Sequence, residues 1–149
     1  AALSLLLPFG RPLLVGLTPV VGIGAGLLST QHAYAQTAED WIVSGNQKYI
    51  NDDNQGAIAD YTKAIEIKSD YAGAHFNRGI TKASLKDHQG AIADWTKAIE
   101  IKPDLFAAYN NRGLARQYVM GDLEGACSDW RKAAELGDEQ AANWVEARC

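Results

Sequence analysis

QGAIADYTKAIEIKSD, residues 55–70, returns 34 residues later as QGAIADWTKAIEIKPD, residues 89–104, with 14 of 16 letters unchanged. A weaker third copy, EGACSDWRKAAELGDE, residues 124–139, stands one residue out of phase, so that Gly90 answers to Gly125 and Trp95 to Trp130. A period of this length marks stacked helical hairpins. One such unit cannot bury its own apolar face, and each copy shelters the next.

A second series with the same period runs upstream of each copy: Trp41, His75 and Tyr109 align, as do Gly45, Gly79 and Gly113. Each repeat therefore holds two helices, predicted at 38–50 with 54–67, 72–84 with 88–101, and 106–118 with 123–136. In each unit a glycine on the first helix goes with an alanine–aromatic–alanine set on the second. These sets are Gly45 with Ala57, Tyr61 and Ala64, then Gly79 with Ala91, Trp95 and Ala98, then Gly113 with Ala126, Trp130 and Ala133. Small residues let helices approach and the aromatic fills the space left.

With Pro103 closing the second copy, residues 38–137 resemble the tetratricopeptide repeat (TPR) family. Its pattern is a large residue, a small glycine, two alanines flanking an aromatic, and a terminal proline. The resemblance implies an all-α, right-handed solenoid of antiparallel hairpins, about seven helices in all, that binds proteins rather than catalysing a reaction. Ser69 stands in place of the first repeat's proline, Ser44, Arg78 and Arg112 occupy slots usually apolar, and the third repeat carries one inserted residue.

The repeats are expected at 38–71, 72–105 and 106–137. Asp53, Asp87 and Asp122 recur just before each second helix, where a carboxylate accepts hydrogen bonds from free amides and favours the positive helix end. After Gly137, Asp138 starts a last helix bearing Ala141, Ala142, Trp144 and Val145, so residues 138–149 form a cap over the open apolar flank of the third hairpin.

Residues 1–35 are a different kind of sequence. Arg11 is their one charged residue, Pro12 to Leu28 carries no charge, and Ala33-Tyr34-Ala35 is a small-x-small site ahead of Gln36. This pattern predicts a secretory signal and an exported protein, in a periplasm, a lumen or outside the cell. Pro19, Gly22, Gly24 and Gly26 interrupt the apolar run, so cleavage is expected rather than a stable membrane span; an uncleaved anchor is the alternative. In an oxidising compartment Cys127, in the slot of Ile58 and Ile92, can bond to Cys149. The other reading is a small buried hydrophobe and a free terminal thiol.

Charge and motif content exclude several classes. The chain has a formal charge of −4, and its lysines Lys63, Lys68, Lys97 and Lys102 are interleaved with acids, so no nucleic-acid partner is expected. His32, His75 and His88 lack ligand spacing, so no metal is expected. Gly22-Ile23-Gly24-Ala25-Gly26 lacks the lysine and strand of a phosphate loop, and no nucleophile stands beside a base. No cofactor and no enzyme activity are expected.

The family resemblance places the ligand groove on the first helices, lined by Asn46, Tyr49, Phe76, Asn77, Ile80, Asn110, Asn111, Leu114, Gln117 and Tyr118, joined by Ile42 and Val43. Asn77 and Asn111 are one period apart and resemble the asparagine ladder of TPR proteins; an amide both donates to and accepts from a peptide backbone. The carboxylate clamp that TPR co-chaperones use on acidic chaperone tails is matched by Asn46 and Asn77 alone. Ile42, Ala107 and Asn111 stand where its three cations belong. A protein or peptide partner is therefore expected, with a self-assembling homo-oligomer as the alternative.

Overall fold

Asp53, Asp87, Asp122 and Asp138 each open a helix by accepting from backbone amides: Gly56, Gly90 and Gly125 donate to the first three, and Gln140 and Ala141 to the fourth. Thr37 and Asp40 form a capping box at another start. The computed structural model describes residues 36–149. The secretory segment expected over residues 1–35 lies outside them. The helices are α1 (Ala38–Ile50), α2 (Asn54–Ile67), α3 (Ala72–Ser84), α4 (His88–Ile101), α5 (Phe106–Ala115), α6 (Leu123–Glu135) and α7 (Glu139–Arg148). No strand occurs among the described residues.

Each helix packs on its neighbour in sequence, giving three hairpins and a closing helix stacked in one row. The all-α solenoid expected from the period is what forms. Its core is built from the small–large alternation: Tyr61, Trp95 and Trp130 are at most 4 % exposed. A Cβ added at Gly45, Gly79 or Gly113 would come within 2.6–2.7 Å of the aromatic ring of its own hairpin. Trp95 also joins Ala108 and Ala115 of the next hairpin, and Trp130 joins Ala141 of α7 and meets the Trp144 ring at 5.2 Å. Burying each aromatic contributes roughly 4–6 kcal/mol of apolar transfer before entropy is counted.

Arg78 and Arg112, in slots the family usually fills with apolar residues, have a specific task. Arg78 holds the buried Asp94 through two nitrogens at 3.0 and 2.7 Å, and reaches back to Thr62 of the preceding hairpin at 3.1 Å. Arg112 repeats this on Asp129 and Thr96. Lys82 and Arg116 add a second cation to each aspartate. In the first hairpin Ser44 donates to Asp60 at 2.6 Å and Lys48 supplies its cation at 2.7 Å. Burial alone would push the Asp94 carboxyl up, but its bonds to Arg78 and Lys82 hold it below the ordinary carboxylate range. Asp60 is likewise held down, by Lys48 and Ser44 against the effect of burial.

The first helix of the third hairpin differs from the regular helix expected to residue 118. It loosens into a π turn over Arg116–Met120. Lys82 and Arg116 remain one period of 34 apart, whereas Lys86 and Gly121, both left-handed at φ 68°, are 35 apart. The inserted residue therefore lies within this turn, where one wide helical turn absorbs it without shifting α6.

Candidate functional site

Small side chains on the first helices open space between them. Two hollows result. The larger, about 490 Å³, lies between α3 and α5 and includes Ile80, Ala83, Asn111, Leu114, Tyr118 and Val119 in its wall. The smaller, about 250 Å³, lies between α1 and α3 and is lined by Asn46, Tyr49, Ile50, Tyr61, Asn77, Ile80 and Thr81. Ile80 belongs to both, so the two form one trough across three first helices. Among the described residues, no aspartate, glutamate, lysine or arginine lines either hollow.

Seven of the ten residues expected to line a groove do so: Asn46, Tyr49, Asn77, Ile80, Asn111, Leu114 and Tyr118. Three are elsewhere. Phe76 packs half-buried on the Trp95 cluster. The Asn110 amide donates to Asp138 at 2.6 Å and so fastens α5 to the start of α7. Gln117 accepts from Arg148 at 2.7 Å. Of the two added candidates, Ile42 packs on the core cluster of the first hairpin and Val43 is exposed.

The two ladder asparagines are not equivalent. Asn46 Oδ1 accepts from the Tyr61 hydroxyl at 2.7 Å and from Asn77 Nδ2 at 3.0 Å, so half of the Asn77 amide is committed within the protein. Burial, with Tyr49 and Asp60 adding to it, pushes the Tyr61 hydroxyl up to about 12, which keeps it a donor. One period on, Ile80 replaces Asn46 and offers no acceptor. Asn111, on the wall of the larger hollow, has no side-chain hydrogen bond to any of the described residues, so both its amide atoms face a ligand unengaged by them.

Several lining residues were missed. Ile50 and Ser84 stand 68 and 34 residues before Tyr118, and Ala83 stands 34 before Gln117, so the period itself pointed to them. His88 and Trp95 come from α4, visible through the gap that Ala83 and Ala115 leave. Beyond the trough, Cys127 of α6 and Cys149 are joined by a disulfide, with Cα atoms 5.7 Å apart. Arg148 beside it donates to Gln117 and to the Tyr118 hydroxyl, and its guanidinium lies 5.4 Å from the Tyr118 ring.

An uncharged trough with an open amide can hold an extended chain through backbone hydrogen bonds and apolar side-chain burial. Among the described residues no cluster of metal-ligating side chains occurs, and no helix is long and apolar enough to cross a membrane.

A family model for the TPR repeat matches residues 45–86 and 81–118. The Arabidopsis OM64 TPR domain is 30% identical over 75% of this chain and 93% of that one, with a TM-score of 0.69. The chain belongs to the TPR family. Among other TPR-like structures, MamA is 31% identical over 71% of this TPR chain, with a TM-score of 0.66; the chain spans 61% of the length of MamA. The first TPR of Spaghetti (RPAP3), solved bound to the HSP90 peptide SRMEEVD, is 26% identical over 78% of this TPR chain and 93% of its own, with a TM-score of 0.69. Among curated protein sequences none matches.

Proposed function

We propose that this TPR chain is an exported, non-catalytic interaction module that holds an extended segment of a partner protein along α1, α3 and α5 and acts as a scaffold or assembly factor. The observation that carries this reading is the continuous trough of two hollows meeting at Ile80, apolar in its walls and bearing the open Asn111 amide. A related TPR domain solved with a peptide supports the mode of binding. It does not supply the peptide, because Ile42, Ala107 and Asn111 leave a terminal carboxylate without the clamp's cations.

Export is supported by the signal-like residues 1–35 together with the Cys127–Cys149 disulfide, a bond that persists in oxidising compartments. The exported protein is expected to begin at Gln36, read by mass spectrometry of its first peptide; an intact leader on a cytosolic protein overturns the localisation.

Photo-crosslinking tests the groove. A benzophenone side chain at Leu114 is expected to capture a partner in the exported fraction, whereas the same group at exposed Lys97 of α4 captures none. Affinity for the captured segment is expected in the micromolar range, about −7 to −8 kcal/mol. Asn111→Ala should weaken it by about 1 kcal/mol, with Asn77→Ala weaker in effect because Asn46 already engages that amide. Equal capture from both positions, or unchanged affinity in Asn111→Ala, rejects the groove. A concentration-dependent oligomer lost on removing residues 138–149 would favour self-assembly instead.

A further inference from the structure

The trough stops at Tyr118 and Val119, and α7 brings a cation, Arg148, to that edge through its bond to the Tyr118 hydroxyl. By the period, α7 stands where a fourth first helix would: Trp144 is 35 residues after Tyr109, Arg148 is 35 after Gly113, and Cys149 is 35 after Leu114. The hollows fill the intervals between α1 and α3 and between α3 and α5. In the next interval the Arg148 side chain crosses from α7 to Gln117 and Tyr118 in the π turn that follows α5. Tyr118 is itself part of the wall of the larger hollow, so a segment lying in that hollow passes beside the guanidinium.

Three features distinguish Arg148 from an ordinary surface arginine. Its described hydrogen-bond partners, Gln117 and Tyr118, are neutral, and Glu124, which shares the neighbouring hollow with it, makes no ion pair to it. Only Nη1 is used in those bonds, leaving the guanidinium's other donors for a second partner. The side chain is also held in advance, by the Tyr118 ring at 5.4 Å and by the disulfide at the next residue, so little ordering is lost when a ligand arrives. By contrast, Arg78, Arg112 and Arg116 are all spent on buried aspartates.

We infer that Arg148 receives an aspartate or glutamate side chain of the bound segment, so that the partner is an apolar, extended stretch carrying one acidic residue at the end lying toward α7. This rests on the peptide-groove reading and adds to it a direction and a charge. The acidic contact stands at the far end of the trough from Asn46 and Asn77, and it uses a side-chain carboxylate within the segment.

Selection from a random peptide library displayed on phage, where no peptide has a free C-terminus, tests this on the full exported chain. The expected consensus is a pair of apolar residues followed or preceded by one Asp or Glu, and synthetic peptides of that consensus should bind less tightly as salt rises. Arg148→Gln keeps a donor toward Gln117 and Tyr118 while removing the charge. It should lose the acidic preference and weaken the consensus peptide roughly three- to fivefold, the range of an exposed ion pair. Arg148→Glu should turn the preference to Lys or Arg. An apolar consensus without an acid, or an acid retained in Arg148→Gln, overturns the inference and leaves the groove reading standing. Peptides that are not selected at all, or that bind Ile80→Asp unchanged, overturn both.

Discussion

The two inner junctions of the stack and its C-terminal junction solve one problem by different chemistry. Between hairpins, an arginine of the first helix grips the buried aspartate of its own unit and reaches back to a threonine of the unit before, Arg78 to Thr62 and Arg112 to Thr96. At the last junction neither end of that stitch exists, since Ala147 stands 35 residues after Arg112 and Arg131 stands 35 after Thr96. A covalent bond takes over. Cys127 and Cys149 are 22 residues apart, the same spacing that separates Ile58 from Ile80 and Ile92 from Leu114. The lesson is that a helix without the arginine–threonine stitch can be held by converting one position pair of the repeat into a disulfide.

The largest expected effect breaks an inner junction. Asp94→Asn leaves Arg78 and Lys82 half-buried without their anion and should cost about 3–5 kcal/mol at pH 7 in urea unfolding. The pH dependence has a definite sign. The Asp94 carboxyl titrates below its ordinary 3.8 in the folded chain, so its contribution is complete above 3.8 and is lost as pH falls through the depressed value. Wild type should therefore lose stability below pH 3.8 more steeply than Asp94→Asn does. Parallel acid curves for the two proteins would show that this junction does not depend on the ion pairs.

The next effect breaks the outer junction alone. Removing the bond with Cys149→Ser frees a loop whose closure is worth about 3 kcal/mol, given its separation of 22 residues. Because α7 touches only the end of the stack, the loss should be local. Amide exchange is expected to accelerate in α7 and at Tyr118, while α2 and α3 keep their protection. Uniform acceleration would mean that the stack unfolds as one unit and that the two junctions are not separable.

These contrasts also explain what the sequence revealed and what it hid. The hairpins were legible because 34-residue self-similarity and the Gly–aromatic pairing are both local in the letters, and Gly79 and Trp95 meet as their spacing required. The insertion was legible as a count but not as a place; only the matched φ of Lys86 and Gly121 locates it in the π turn. In the trough, residues on the inner edge of the first helices followed the period. Asn110 did not, because its amide is drawn to Asp138, a residue that belongs to the cap and has no counterpart in the first two repeats as a first-helix contact. Arg148 was hidden for the same reason. Its position follows from α7 imitating a first helix, which becomes apparent only once α7 is seen lying against α6.

The smallest expected effect sharpens the comparison at the opposite end. Ser44 occupies the arginine position of the first repeat, and Lys48 and Ser44 already satisfy Asp60. An arginine there would find the aspartate occupied and, among the described residues, no earlier hairpin offering a threonine. Ser44→Arg should therefore change stability by less than about 0.5 kcal/mol, in the range of substitutions away from any special feature. The reverse change, Arg112→Ser, removes both the grip on Asp129 and the reach to Thr96 and should cost several times more. If Ser44→Arg instead stabilised the chain by more than 1 kcal/mol in urea unfolding, the arginine would owe its value to the aspartate of its own hairpin. The backward stitch to the preceding threonine would then contribute little to holding the stack together.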